Sequence, residues 1–243
     1  MSSSSDRTPS NPRTTRIFDS LAVLQQEAAD AFCAAVEETL ENKDRFCVSL
    51  SGGSTPKGLY QQLASRDLPW DRIHWFWGDE RNVPHDDADS NTKMVREALL
   101  QPASVPEQNV HPVEVNVEDP ASAAMKYEQT LRGFFPEQPF PAWDLVLLGM
   151  GDDAHTASLF PETAALSEDE RWFVENWVEK FEGYRYTLSP PAINSGERIW
   201  FLISGESKRE ALKNVWSGER NTDQFPSQLI YPTRWYLTQD VAS

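Results

Sequence analysis

The sequence predicts an α/β fold: one domain on a Rossmann-like, mostly parallel sheet with helices on both faces. Three observations predict it. Short apolar runs alternate with stretches of helical periodicity along most of the chain. Several of those runs are apolar without interruption, as strands buried in a sheet are. They also end in glycine-rich or charged loops, and open α/β sheets bind ligands outside the carboxyl ends of their strands.

The elements follow in order. Helical periodicity covers Leu21–Leu40, with apolar residues at Leu21, Leu24, Ala28, Phe32, Val36 and Leu40. Phe46–Leu50 reads as a strand. The segment Ser51-Gly52-Gly53-Ser54-Thr55-Pro56 then opens a helix that runs to about Ala64. Pro56 suits its first turn, and Ser54 or Thr55 suits its cap. Ile73–Trp77 is the next strand. Helices are expected over residues 90–100 and 119–135, the second with Pro120 at its start. Residues 143–148 form a buried strand. Further strands are expected at 171–178, 184–188, 198–203 and 234–237, with a helix over 207–216. No repeat or linker interrupts residues 17–243, so they form one domain. Residues 1–16 are rich in Ser, Thr and Pro and carry three arginines without an apolar segment. They read as a disordered tail and not as a secretory signal.

Composition narrows the function. A hydrophobic share of 39% in 243 residues is enough to build a core. The net charge of −16 disfavours nucleic acid and anionic membranes as partners. No segment has the roughly 18 apolar residues of a membrane span. Cys33 and Cys47 make neither a disulfide framework nor a metal pattern. Both are expected to be buried, reduced thiols, which fits the cytoplasm. His74, His85, His111 and His155 show no zinc spacing, and the run from His85 to Asp89 reads as a solvated loop. No metal and no cofactor are expected. A monomer acting on a small molecule is the expected state.

Four strand-end loops hold the chemistry: residues 51–55, 78–81, 149–155 and 204–208. Gly52, Gly53, Ser54 and Thr55 stand between a strand and a helix N-terminus, where free N–H groups and the helix dipole favour an anion. An ordinary strand-to-helix turn has the same pattern. The loop is no Walker motif, because Lys57 precedes Gly58. Arg81 and Lys208 each follow a strand end and suit a phosphate. The strand before Gly149 leads into Gly149-Met150-Gly151-Asp152-Asp153-Ala154-His155. A histidine there can take a proton near neutral pH, although a turn with a structural histidine also fits. Gly149-x-Gly151-x-x-Ala154 loosely matches a dinucleotide fingerprint, but Asp152 and Asp153 would face the pyrophosphate. No Gly-x-Ser-x-Gly elbow occurs, so His155 is the best base and needs no covalent nucleophile.

Taken together, these motifs resemble the glucosamine-6-phosphate isomerase/6-phosphogluconolactonase family over roughly residues 17–243. The resemblance rests on Ser51-Gly52-Gly53-Ser54-Thr55-Pro56 and on Trp77-Gly78-Asp79-Glu80-Arg81-x-Val83-Pro84 with Ser90-Asn91. It rests also on Gly149-Met150-Gly151-x-Asp153-x-His155-Thr156-Ala157-Ser158-Leu159-Phe160-Pro161. Arg185-x-Thr187-Leu188 before Pro191-x-Ile193-Asn194, and Ser204-Gly205-x-x-Lys208, complete it. One departure is Ala154, where the family usually has glycine. If that position needs a positive φ, alanine is strained there.

The resemblance implies hydrolysis of 6-phospho-D-glucono-1,5-lactone to 6-phosphogluconate in the oxidative pentose phosphate pathway, a carboxylic ester hydrolysis. It implies His155 as the base on water, with Asp153 orienting it. It implies Gly52, Gly53, Ser54, Thr55, Arg81, Lys208 and Arg185 around the phosphate. The deaminase branch has a glutamate five residues after the histidine, where this chain has Phe160. A sugar-phosphate isomerase or deaminase, and a non-catalytic sugar-phosphate sensor, are the alternatives.

Overall fold

The computed structural model describes residues 15–217 and 219–243. Seven strands form one sheet: β1 (Thr15–Phe18), β2 (Phe46–Leu50), β3 (Ile73–Trp77), β5 (Val110–His111), β6 (Leu145–Leu148), β9 (Ile199–Ile203) and β10 (Arg234–Thr238). Their order is β1-β10-β9-β6-β2-β3-β5, and every adjacent pair is parallel. All residues of β2, β6 and β9 are buried, so both faces of the sheet centre are covered. The single-domain α/β expectation holds.

Helices α1 (Leu21–Leu40), α2 (Ser54–Leu63), α4 (Pro120–Phe134), α5 (Pro190–Asn194), α6 (Arg209–Ser217) and α7 (Gln239–Ala242) fill the crossovers and the C-terminus. Ser20 caps α1, and its hydroxyl accepts from the Val23 N–H. Asp119 caps α4 by accepting from Ser122, with Pro120 at the first helical position. Helix α3 (Asn91–Val95) runs on into a wider π-helical turn over Arg96–Leu100.

Four details differ from the sequence reading. Helix α2 starts one residue earlier than expected: Gly53, at φ +101°, is the cap, and no side chain caps the helix. A positive φ at that point suits glycine, whereas Ser54 and Thr55 take helical positions. Residues 173–178 and 183–188 do not join the main sheet. They form β7 (Phe173–Val178) and β8 (Gly183–Leu188), an antiparallel hairpin extended by the short β4 (Asp79–Arg81). Thr15 and Arg16, assigned to the tail, pair with β10, while the tail up to residue 14 lies outside the described residues. Cys47 is buried, but Cys33 is partly exposed.

The main sheet has a histidine pair near one edge. His74 on β3 and His111 on β5 face each other, Nδ1 to Nε2, at 3.1 Å. One ring must donate and the other accept, so the pair is satisfied when neutral. Burial, then His74, then Arg45 push His111 down to about 4, and burial followed by Arg45 lowers His74. Folded pKa values below the unfolded value near 6.5 mean that the unfolded chain binds these protons first. This contribution to stability is therefore whole above about pH 6.5 and is lost as pH falls towards 4. Thermal melts from pH 7 to 4.5 are expected to show a shallower loss for His111→Gln than for wild type. Parallel curves would remove the pair from the acid response.

Candidate active site

The chain's topology places the site. Strands β2, β3 and β5 run outward on one side, while β6, β9, β10 and β1 run outward on the other. The order therefore reverses between β2 and β6, and ligands bind at such a switch point, beyond the carboxyl ends of the strands. There a cavity of about 250 Å³ is lined by residues 51–56, Asp79, Arg81, Gly149, Gly151, His155, Ser204 and Lys208, among others. Loops from β2, β3, β6 and β9 thus meet in one place.

Part of the lining is a helix start whose N–H groups are free. The first N–H groups of α2, at Ser54 and Thr55, have no intrahelical partner and no side-chain cap. The Thr55 and Ser204 hydroxyls lie 2.6 Å apart and join this helix start to the end of β9. Tyr60 ties the loop down from below: its hydroxyl accepts from the Ser51 N–H and donates to the Ser51 carbonyl. Gly52 is required because a Cβ there would lie 2.0 Å from the buried Asn91 side chain.

Arg81 and Lys208 belong to the same lining. Arg81 donates to the Asp89 carbonyl, and its N–H donates to Glu80. Glu80 also accepts from the N–H groups of Asn91 and Thr92 and from the Thr92 hydroxyl, which fixes the start of α3 against β4. Lys208 closes a short turn after Gly205. Arg185 is paired in register with Arg81 across β4 and β8 but is not among the residues that line the cavity. Burial, then Arg81, lower its affinity for its proton. Among the described residues no carboxylate oxygen lies within 4.0 Å of a side-chain nitrogen of Arg81, Arg185 or Lys208. In a chain of net charge −16, three cations without a direct ion pair, with the buried Asp79 as a nearby carboxyl, make a local positive focus.

The same lining includes His155. Its Nδ1 lies 2.5 Å from Oδ1 of Asp153, which is not among the lining residues. Burial alone would raise the Asp153 carboxyl, but the His155 hydrogen bond and charge and the Lys180 contact outweigh it and hold it well below the usual range. An ionised acceptor at Nδ1 favours the Nδ1–H tautomer and leaves the lone pair on Nε2. The ring lies against Gly151, where a Cβ would be 2.0 Å from Nδ1. Its other face stacks on Phe160 at 4.1 Å between centroids. Glu162, two residues on, is exposed, and its N–H donates to the Asp223 carbonyl.

Ala154 adopts φ +62°. The position does use the left-handed conformation, which costs an alanine about 1–2 kcal/mol. Ser227 compensates: its N–H and hydroxyl both donate to the Ala154 carbonyl, at 3.0 and 2.7 Å.

Two residues escaped the sequence reading as site members. Asp79 is buried yet lines the cavity, and Ser158 donates to its carboxylate. Burial pushes its carboxyl up despite Arg81 and Ser158. Its place beside Arg81 in a strand-end loop was a usable signal. Lys180 lies 3.0 Å from Asp153 Oδ2, and no motif marks it.

A family model described as glucosamine-6-phosphate isomerases/6-phosphogluconolactonase matches residues 19–239. The chain belongs to this family. A 6-phosphogluconolactonase from Nostoc sp. is 42% identical over 90% of this chain and 92% of its own length. Another, from Synechocystis sp., is 40% identical over 89% and 92%. The solved structure of 6-phosphogluconolactonase from Trypanosoma cruzi superposes with a TM-score of 0.84 at 28% identity, covering 94% of this chain and 95% of that one. This family member therefore shares both sequence and fold with lactonases along nearly its whole length. Among the described residues no helix is long and apolar enough to cross a membrane.

Proposed function

We propose that the protein hydrolyses 6-phospho-D-glucono-1,5-lactone to 6-phosphogluconate, as the names of its relatives suggest. The observation that carries this reading is one cavity lined by a helix N-terminus, two cations and a histidine held by a carboxylate. The helix start and the cations fit the phosphate: the N–H groups of residues 52–55, Arg81 and Lys208, with Arg185 reinforcing from the adjacent strand β8. Holding the phosphate fixes the lactone carbonyl before His155 and turns remote binding into rate.

In this mechanism His155 Nε2 takes a proton from water as its oxygen bonds to the lactone carbonyl carbon. Asp153 holds the ring and stabilises the imidazolium that forms. Backbone N–H groups or a cation of the cavity stabilise the oxyanion. The C1–O5 bond then breaks, and the imidazolium returns its proton to the departing ring oxygen. The reading needs no metal and no covalent intermediate. It includes a cytoplasmic, monomeric enzyme whose single domain takes in β1 from Thr15 onward.

Phe160 bears on the branch. Deamination of glucosamine 6-phosphate requires ring opening and proton movement between C1 and C2, and so needs a further acid/base group. At the position where the deaminase branch has its glutamate, Phe160 supports the imidazole and cannot transfer a proton. A coupled assay with freshly generated lactone tests the reading. Turnover is expected well above spontaneous hydrolysis, with no ammonia from glucosamine 6-phosphate. Ammonia release at a comparable rate would place the protein in the other branch, and no turnover of either substrate would favour a sensor.

A further inference from the structure

The hairpin tip between β7 and β8 reaches back over the His155 loop. Lys180 Nζ lies 3.0 Å from Asp153 Oδ2, while the other oxygen of that carboxylate holds His155 Nδ1. The next residue, Phe181, meets Phe160 edge to face at 5.4 Å, and Phe160 stacks on the His155 ring. The Arg185 guanidinium covers Phe181 at 4.8 Å. The polar and the apolar supports of the imidazole therefore lead to two adjacent residues on one turn. That turn, Glu179–Phe181, ends at Glu182 with φ +47°.

We propose that Lys180 and Phe181 are positioning residues, and that the β7–β8 hairpin tip holds the Asp153–His155 pair in its working orientation. The inference rests on the lactonase reading for its kinetic consequence. Its physical basis is the number of restraints. A carboxylate held at one oxygen can still rotate about its last torsion, where rotamers are broad. Held at both oxygens, it fixes the imidazole edge, while Phe160, backed by Phe181, fixes the face. Lys180 is about half exposed, and an exposed ion pair contributes little to stability. Asp152 is its other neighbour, at 3.9 Å. The contact's role is therefore geometric, and a misplacement of about 1 Å at a reacting group costs up to about a hundredfold in rate.

The test uses Lys180→Met, Lys180→Arg and Phe181→Ala, with the lysine variants also made in an Asp153→Asn background. Lys180→Met is expected to lower kcat about tenfold and to leave KM within about twofold, because Lys180 contacts none of the residues assigned to the phosphate. Phe181→Ala is expected to lower kcat similarly and to raise KM as well, because Arg185 loses the ring it covers. Lys180→Arg restores most of the rate. In Asp153→Asn, Lys180→Met has no further effect, as coupled residues behave in a double-mutant cycle. Melting temperatures stay near wild type. An unchanged kcat in Lys180→Met, or an equal loss in both backgrounds, overturns the proposal. Proton NMR of the ligand-free protein separates this from failure of the lactonase reading. The hydrogen-bonded His155 ring N–H resonance, absent in Asp153→Asn, is expected to broaden or shift in Lys180→Met whatever the substrate is. An unchanged resonance overturns the positioning role on its own.

Discussion

His155→Ala is expected to lower kcat for the lactone by about 10²–10⁴-fold, the range that general base catalysis contributes. KM is expected to change much less, since the residues assigned to the phosphate are other members of the lining and stay in place. The geometry assigns the loss to one atom. Nδ1 is engaged by Asp153, so Nε2 is the nitrogen free to take a proton. Among the cavity residues, Asp79 is the other titratable group without a positive charge, and Ser158 already holds its buried carboxylate. The substitution leaves Phe160 without its stacked partner, so thermal stability must be measured beside turnover. His155→Gln, closer in volume, gives a second reading if alanine loosens the loop. Rates must be corrected for spontaneous hydrolysis. Wild-type turnover in a folded variant would remove His155 from the mechanism.

Arg81→Ala and Lys208→Ala are expected to act on the phosphate. A hydrogen bond to a charged group contributes about 1.5–3 kcal/mol, so each variant should lose roughly ten- to a hundredfold in kcat/KM on the phosphorylated lactone. On unphosphorylated gluconolactone the loss should be slight, because the missing contact has no partner there. Some of the loss should appear in kcat, since the phosphate orients the carbonyl. Arg81 also donates to the Asp89 carbonyl, so its removal frees an exposed loop as well. That effect would weigh on both substrates alike and can be subtracted. Equal losses on the two lactones, in both variants, would show that these cations are not the phosphate clamp.

Much of the site was legible because its chemistry is local in sequence. The glycines of residues 51–53 and 149–151, the base at 155 and the cations at 81 and 208 all follow apolar runs. A parallel sheet sends the ends of such runs to one edge. The antiparallel hairpin was legible too, though it was missed. The strands expected at 171–178 and 184–188 leave five residues between them, and a parallel crossover needs a dozen or more. Lys180 and Phe181 lie in that gap, where no local pattern marks them, since a charged residue in a short turn is ordinarily solvated.

The sequence by itself determined the α/β class, the order of the main elements, the loops that line the cavity and the family. Each of these depends on periodicity or on residues within a few positions of one another. The tertiary structure alone decided the rest. It placed the reversal of strand order between β2 and β6, set Arg185 beside Arg81, and turned Asp79 into the cavity. It also brought the tip of the β7–β8 hairpin onto Asp153 and Phe160. These are contacts between segments far apart in the chain. Register, handedness and the packing of whole layers fix them, and no local pattern of side chains encodes those.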